Sequence, residues 1–311
     1  MSPSLTGSGC QHVSDQGNDN VIDLRDPPGD DIVLSVRDLT KYFPIRRGVF
    51  QVAGANSVAL DRVSFDIRRG TTLAVVGESG GGKTTLCRCV AGLEKPTAGG
   101  VYLRSSRAME GGRGRPAVEL PTHKLDRSAI RRFHRCCQLI TQHSATSLNP
   151  KRNVLDSIGR ALKAHGRTSE GPIEEQVVAA LERVGLGRSD LHRYPDSFST
   201  GQLQRIAIAR ALALDPEVLI LDEPTASIDV SAQARILNLL VDLQRSGGLS
   251  YLFVTHDLSV ALHMADDIVV LRSGQVVESG PIESVLANPS HPYTRRLIAA
   301  DPELEPGRRS T

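Results

Sequence analysis

The residues Gly77-Glu78-Ser79-Gly80-Gly81-Gly82-Lys83-Thr84 have the spacing Gly-x4-Gly-Lys-[Ser/Thr], and each residue type in the run answers a need of phosphate binding. Glycines let successive backbone N–H groups turn inward as a nest for an anion. A helix starting at the end of the run adds the partial positive charge of its N-terminus. The Lys83 ammonium can reach the β- and γ-phosphates of a nucleoside triphosphate, and the Thr84 hydroxyl can ligate Mg²⁺. A glycine-rich turn arising by chance would lack the right frame. Here residues 72–76 form a short apolar run that ends at Gly77, and 83–91 read as a helix stopped by Gly92.

A second set of chemistry-bearing residues is Asp222-Glu223, where the uniformly apolar run 218–221 ends. Successive side chains on a strand point to opposite faces, so two adjacent acids cannot do the same work. Asp222 is the natural partner of Mg²⁺. Glu223, leaving the strand, can face the γ-phosphate and polarise an attacking water. Solvated acids at a strand-to-loop transition are common, but are the weaker reading beside a phosphate cradle. His256 follows another apolar run, 252–254. Alone it would more often be structural; after a parallel strand it lies where open α/β sheets bind ligands, and there it can sense a γ-phosphate.

The elements that must hold these groups alternate between strand and helix. Residues 32–36 and 63–67 read as strands, the second alternating apolar and polar as a half-buried antiparallel strand does. The runs 218–221 and 252–254 suit parallel strands covered on both faces, with helical residues 236–240 between them closing at Gly247-Gly248. Residues 153–194 turn helical, with Val177, Val178, Leu181 and Val184 near one face of a 3.6-residue period. Ser273-Gly274 marks a hairpin between 268–271 and 275–278. Residues 104–124 read as a loop, in which Arg104, Arg107, Arg113 and Arg115 lack the interleaved aromatics of a nucleic-acid surface. The pattern is α/β with a helical insertion in the middle.

Composition narrows the classes further. The 311 residues carry a net charge of +2, too little to draw the whole chain to nucleic acid or anionic lipid. No apolar run approaches the roughly 18 residues of a membrane span, so any part in transport would be played from the cytosol with partners supplying the pore. Residues 1–30 read as a flexible polar tail without the basic start and apolar stretch of a secretory signal. The five cysteines, Cys10, Cys87, Cys89, Cys136 and Cys137, are odd in number and form no Cys-x-x-Cys pair, which speaks against a disulfide framework or a tetrahedral metal site.

Taken together, these residues resemble the ABC ATPase family over about 32–293. The similarity rests on six elements in the family's order: aromatics at Tyr42-Phe43, the cradle 77–84, Gln142, Ser199 to Gln204, Asp222-Glu223, and His256. The resemblance implies a P-loop NTPase (RecA-like) core sheet with an antiparallel β subdomain and an inserted α-helical subdomain. It implies boundaries at 31–142 and 201–285 for the core and β subdomain, 143–200 for the helical subdomain, and 286–311 for a C-terminal extension. ATP and Mg²⁺ are the implied ligands. Phe43, with Tyr42 as the alternative, would stack on adenine. Gly77, Glu78, Ser79, Gly80, Gly81, Gly82, Lys83, Thr84 and Thr85 would hold the phosphates. Thr84, Gln142 and Asp222 would serve the metal, and Glu223, His256, Lys83 and Gln142 would carry catalysis. The position after Gln142, usually Asp, is His143, and Ser227-Ile228-Asp229 resembles the D-loop.

The family's signature loop, usually Leu-Ser-Gly-Gly-Gln, reads Phe198-Ser199-Thr200-Gly201-Gln202 here, followed by a helix over 203–214. Ser199, Gly201 and Gln202 would bind the γ-phosphate of ATP held by an opposite subunit. Thr200 stands where the family has glycine. Its β-branch adds bulk and disfavours positive φ, so Thr200→Gly is expected to raise turnover at the partner's site.

A narrower resemblance, to the dipeptide/oligopeptide/nickel importer branch, rests on Ser147-Leu148-Asn149-Pro150, on residues 229–237, and on His291-Pro292-Tyr293-Thr294. It implies an ATP-hydrolysing subunit on the cytoplasmic side of the cell membrane. Its partners would be a second, different ATPase, two membrane-spanning permease subunits and an extracytoplasmic substrate-binding protein, with no nucleic acid. Because no cysteine follows Cys137, no iron–sulfur cluster is expected. The cargo stays open among peptide, nickel chelate, opine and glutathione. An exporter ATPase would share every catalytic motif, and a non-transport ABC ATPase would ordinarily carry paired domains or coiled-coil insertions.

Overall fold

The computed structural model describes residues 31–47, 50–105, 118–120, 127–142, 148–226 and 228–301. In chain order they begin with β1 (Ile32–Arg47), β2 (Phe50–Arg68), β3 (Thr72–Val76), α1 (Lys83–Val90), β4 (Ala98–Leu103), β5 (Val118–Leu120), α2 (Arg127–Cys136) and β6 (Cys137–Ile140). The middle is helical, with α3 (Val154–Ala164), α4 (Ile173–Glu182) and α5 (Thr200–Leu212) joined through short 3₁₀ turns. Then come β7 (Val218–Asp222), α6 (Val230–Gly247), β8 (Ser250–Val254), α7 (Leu258–Met264), β9 (Asp267–Arg272), β10 (Gln275–Pro281), α8 (Ile282–Ala287) and α9 (Pro292–Ala299).

The strands make two sheets. One is antiparallel, in the order β2-β1-β4-β5. The other runs β10-β9-β3-β8-β7-β6, parallel except for β10 at one edge. β3, β7 and β8 are buried along their whole length, as strands covered on both faces must be. Alternation then divides their side chains between two cores. Leu219, Leu221, Tyr251 and Phe253 pack with α3 to α6. Val218, Ile220, Leu252 and Val254 pack with α1 and the antiparallel sheet. Each such buried side chain contributes about 1.5–3 kcal/mol. A third cluster sets Ala74 and Val76 of β3 against Leu258, Ile282, Val285 and Tyr293 from the C-terminal helices.

Some elements differ from the sequence reading. The stretch 104–124 is not loop throughout, because β5 pairs with β4 at the sheet edge. Three residues are too few to show a period. Arg107, Arg113 and Arg115 lie outside the described residues, as do the tail 1–30, His143, Ser147 and Ser227. α2 and β6 carry no clear sequence signal: the helix is basic, and its apolar anchor Phe133 is fully buried. The described cysteines are free and buried, and burial pushes the Cys89 thiol up to about 12. Among the described residues no helix is long and apolar enough to cross a membrane.

Candidate active site

The strand ends bring the expected residues to one edge. Gly77 follows β3, Asp222 ends β7, Glu223 follows it, and His256 lies two residues beyond β8. Gln142 lies two residues past β6, whose Ile140 pairs with Leu221 of β7. Register therefore places Gln142 level with Glu223, with its side chain exposed. These are the carboxyl ends of parallel strands, where open α/β sheets bind ligands.

The cradle needs its glycines for two reasons. Gly77 has φ +152° and Gly82 φ +102°, conformations that side chains resist. A Cβ on Gly77 would also stand 2.1 Å from the Leu271 carbonyl oxygen, and one on Gly82 would stand 2.4 Å from that of Ala59. The Gly81 N–H donates to the Glu78 carbonyl at 3.1 Å, and the Gly81 carbonyl accepts from Gly274 N–H at 3.0 Å. The turn is thus pinned to the β9–β10 hairpin, where Ser273 (φ +49°) and Gly274 (φ +80°) both take the left-handed conformation a tight hairpin needs. α1 has no side-chain cap and no acid in its first turn. Its first donors, from Gly82 through Thr85, are the open N–H groups of a helix start, suited to an anion.

Lys83 lies across this loop, 5% exposed. Its Nζ donates to the carbonyls of Gly77 at 2.7 Å and Glu78 at 3.0 Å. Burial lowers its pKa, while the charges of Glu223 and Asp222 oppose the shift. Asp222 is buried, and desolvation raises its pKa against the pull of Thr84 and Lys83. The Thr84 hydroxyl and the Asp222 carboxylate face each other, Oγ1 to Oδ1 3.5 Å. This is an oxygen pair for a hard cation. Among the described residues no cluster of three His, Cys, Asp or Glu could hold a metal alone. The pair fits Mg²⁺, which commonly binds through one or two protein oxygens plus substrate phosphates.

Glu223 itself has φ +50°, unusual for a residue with a side chain and costing about 1–3 kcal/mol. Its N–H donates to the Val254 carbonyl at 3.0 Å, which ties the turn to the end of β8. One carboxylate oxygen lies 3.2 Å from His256 Nδ1. The acid and the histidine, 33 residues apart in sequence, are thus direct neighbours.

Tyr42 and Phe43 are both exposed on β1. Tyr42 pairs with Val58, next to the Ala59 carbonyl that crowds Gly82, so the aromatics stand one strand from the cradle. Lys41 sits 4.8 Å from the Phe43 ring centre and pairs with Glu94 at 2.6 Å. The cation occupies one face of Phe43.

The signature segment is a helix start. Ser199 caps α5, with its hydroxyl accepting from Gln202 N–H at 3.3 Å and its own N–H donating to Gln202 Oε1 at 3.0 Å. Among the described residues no hydrogen bond of 199–202 reaches the cradle. The segment lines a cleft of about 740 Å³ together with Asp229, Arg235 and Ile236. Thr200 is the first helical residue and takes no positive φ. The expected backbone conflict is therefore absent: at that position a threonine needs only helical angles. In the sequence Tyr293 carries only the branch resemblance. Its hydroxyl accepts the Glu78 N–H of the cradle at 3.0 Å, a contact across 215 residues that no local pattern encodes.

Comparison with known proteins agrees with this geometry. Residues 60–226 match the family model described as ABC transporter, and 277–311 match that of the oligopeptide/dipeptide transporter C-terminal region. The chain is 42% identical to the dipeptide transport ATP-binding protein DppF of Haemophilus influenzae, over 89% of this chain and 80% of that one. It is 41% identical to DppF of Escherichia coli, over 88% and 78%. Its structure resembles the ATP-binding cassette MJ0796 in a dimeric post-hydrolysis state bound to ADP and Pi, with TM-score 0.63, 25% identity, and coverage of 80% of this chain and 98% of that one.

Proposed function

The chain belongs to the ABC transporter family and is an ATP-binding, ATP-hydrolysing importer subunit; from that premise we propose that it energises uptake of dipeptides or chemically related small solutes. The solute follows the peptide-transport relatives and the matching C-terminal region. The observation that carries the enzymatic reading is the meeting of Lys83, Thr84, Asp222, Glu223 and His256 at one sheet edge.

In this reading Phe43 or Tyr42 stacks on adenine and residues 77–85 hold the phosphates. Lys83 exchanges its two carbonyl partners for phosphate oxygens, a trade favoured by its buried position, where charge–charge contacts are strong. Thr84, Asp222 and Gln142 would hold Mg²⁺, which when bound neutralises charge on the phosphate oxygens. Glu223 orients and deprotonates the attacking water, and His256 stands by the same carboxylate to contact the γ-phosphate. Ser199, Gly201 and Gln202 face outward to complete the site of a second ATPase subunit. The region around Gln142 passes closure on to two membrane-spanning permease subunits, on the cytoplasmic side, with an extracytoplasmic binding protein delivering solute.

Glu223→Gln tests the chemistry in the assembled importer: ATP affinity should persist while turnover falls roughly 10²–10⁴-fold. Near-normal turnover would remove Glu223 from the base role. Dipeptide-dependent stimulation of ATP hydrolysis in reconstituted vesicles tests the solute, and stimulation by a nickel chelate or opine alone would replace the peptide reading.

A further inference from the structure

The cradle's outer wall is built by the C-terminal part of the chain. Leu271 packs against Gly77, Gly274 holds Gly81, and Tyr293 holds Glu78. The first two contacts come from a hairpin in the central sheet. The third comes from α9, beyond every strand. Tyr293 is 2% exposed, and the Arg272 guanidinium lies 5.1 Å from its ring centre. Arg272 is next in sequence to Leu271, so ring and hairpin grip the cradle from the same side.

α9 is itself anchored at both ends. At its start the Glu278 carboxylate accepts from Ser290 N–H (2.7 Å), the Ser290 hydroxyl (2.7 Å) and His291 N–H (3.1 Å). His291 in turn caps the helix by accepting the Tyr293 N–H at 3.1 Å. Just past the last turn, Asp301 accepts the Leu258 N–H at 3.2 Å, at the start of the helix that follows His256. The C-terminal segment thus touches the loop before Lys83 and the loop after β8.

We infer that Tyr293 is a positioning residue of the nucleotide site, its hydroxyl fixing the cradle peptide that holds Lys83. The inference rests on the ATP-site reading above. Glu78 joins the two contacts: its N–H goes to Tyr293, and its carbonyl accepts both Gly81 N–H and Lys83 Nζ. Without the phenol oxygen that N–H must seek water, and the peptide can rotate. The Gly77 carbonyl belongs to that same peptide and the Glu78 carbonyl to the next, so the rotation disturbs both acceptors of Lys83. A cradle with a loose outer turn spends less time in the geometry that receives phosphate, which weakens binding.

Tyr293→Phe removes one oxygen and keeps the ring. In the full-length chain, titration with Mg-ATP should give a Kd raised roughly three- to ten-fold, the range of one lost hydrogen bond. In the assembled importer KM should rise while kcat changes little, and backbone hydrogen exchange at Glu78 should quicken. A role in packing alone would shift the melting temperature and leave Kd and KM in place. Unchanged Kd overturns the inference, even with faster exchange. Lys83→Ala in the same titration separates the two levels: if it abolishes binding while Tyr293→Phe is silent, only the Tyr293 role fails; if neither changes Kd, the ATP-site reading fails with it.

Discussion

Replacing Gly77 by alanine puts the geometry of the cradle to a quantitative test. The added Cβ would sit 2.1 Å from the Leu271 carbonyl oxygen, with the Leu271 carbonyl carbon at 3.2 Å. Neither atom is the tip of a flexible side chain; both are backbone of β9, which pairs with β3 along Leu73, Ala74, Val75 and Val76. Relief therefore requires the two strands to part or the turn to move. Overpacking of this kind costs about 1–3 kcal/mol, and a side chain held at φ +152° adds about 1–3 kcal/mol more. The sum, about 2–6 kcal/mol, is a large share of the 5–15 kcal/mol that holds a typical domain. At about 2 °C per kcal/mol for a chain of this size, the melting temperature should fall by about 4–12 °C. A thermal melt of the full-length chain, paired with Mg-ATP titration, reads both consequences, since a displaced Gly77 also withdraws one of the two Lys83 acceptors. A melt within a degree of wild type, with unchanged affinity, would show that the loop tolerates a Cβ and that the contact with β9 does not constrain it.

Two further changes probe other parts of the chain. Thr200→Gly should leave ATPase turnover of the assembled importer within about two-fold and lower stability by about half a kcal/mol, since helix propensity is all that the substitution alters in the backbone; a several-fold gain in turnover would mean that the side chain's bulk obstructs the partner's phosphate. At Glu278, burial favours the neutral acid, but the hydrogen-bond donors at the start of α9 prevail and hold the carboxyl down to about 2 against a usual 4.5. A depressed carboxyl pKa stabilises the fold fully above 4.5, and that contribution is lost as pH falls from there through about 2. The gap in melting temperature between wild type and Glu278→Gln should close over that window, and a gap that stays constant down to pH 2 would refute the clasp.

How much of this was legible in the sequence depends on the range of the interaction. The cradle was legible because its demands are local: the glycines, Lys83 and Thr84 are all fixed by the backbone of one turn. β3, β7 and β8 were legible because burial on both faces makes them apolar except at one end, where Thr72, Asp222 and Ser250 stand. Asp222 and His256 followed, since each stands at the end of such a strand. β6 and α2 were hidden, the first by its four-residue length and the second by a basic surface that outweighs the buried Phe133 and Cys136. At Thr200 only the backbone part of the expectation is overturned: a glycine at that position suggests a special φ, whereas the chain there is already helical. The tethers to Glu78 and to Leu258 join residues 215 and 43 positions apart. No periodicity carries information over such distances, so His291-Pro292-Tyr293-Thr294 could be noticed in the sequence without its task being visible.

The backbone at Glu223 shows what the fold gives up for its chemistry. Glycine occupies the left-handed positions of the cradle, where only N–H groups have to be presented. At Glu223 a carboxylate is needed, and the same kind of conformation is held with a side chain present. Leaving β7 through a left-handed residue breaks the alternation that would have turned Glu223 to the face opposite Asp222. The strand end can therefore offer Asp222 to Thr84 and Glu223 to His256 from adjacent positions. The N–H of Glu223 on the Val254 carbonyl is the bond that keeps this turn from relaxing. It comes from β8, the strand that leads to His256, so the element that stabilises the strained acid also delivers its neighbour. Strain, acid and histidine are thus one structural unit, and a change at the end of β8 should be felt at Glu223 before it is felt in the cradle.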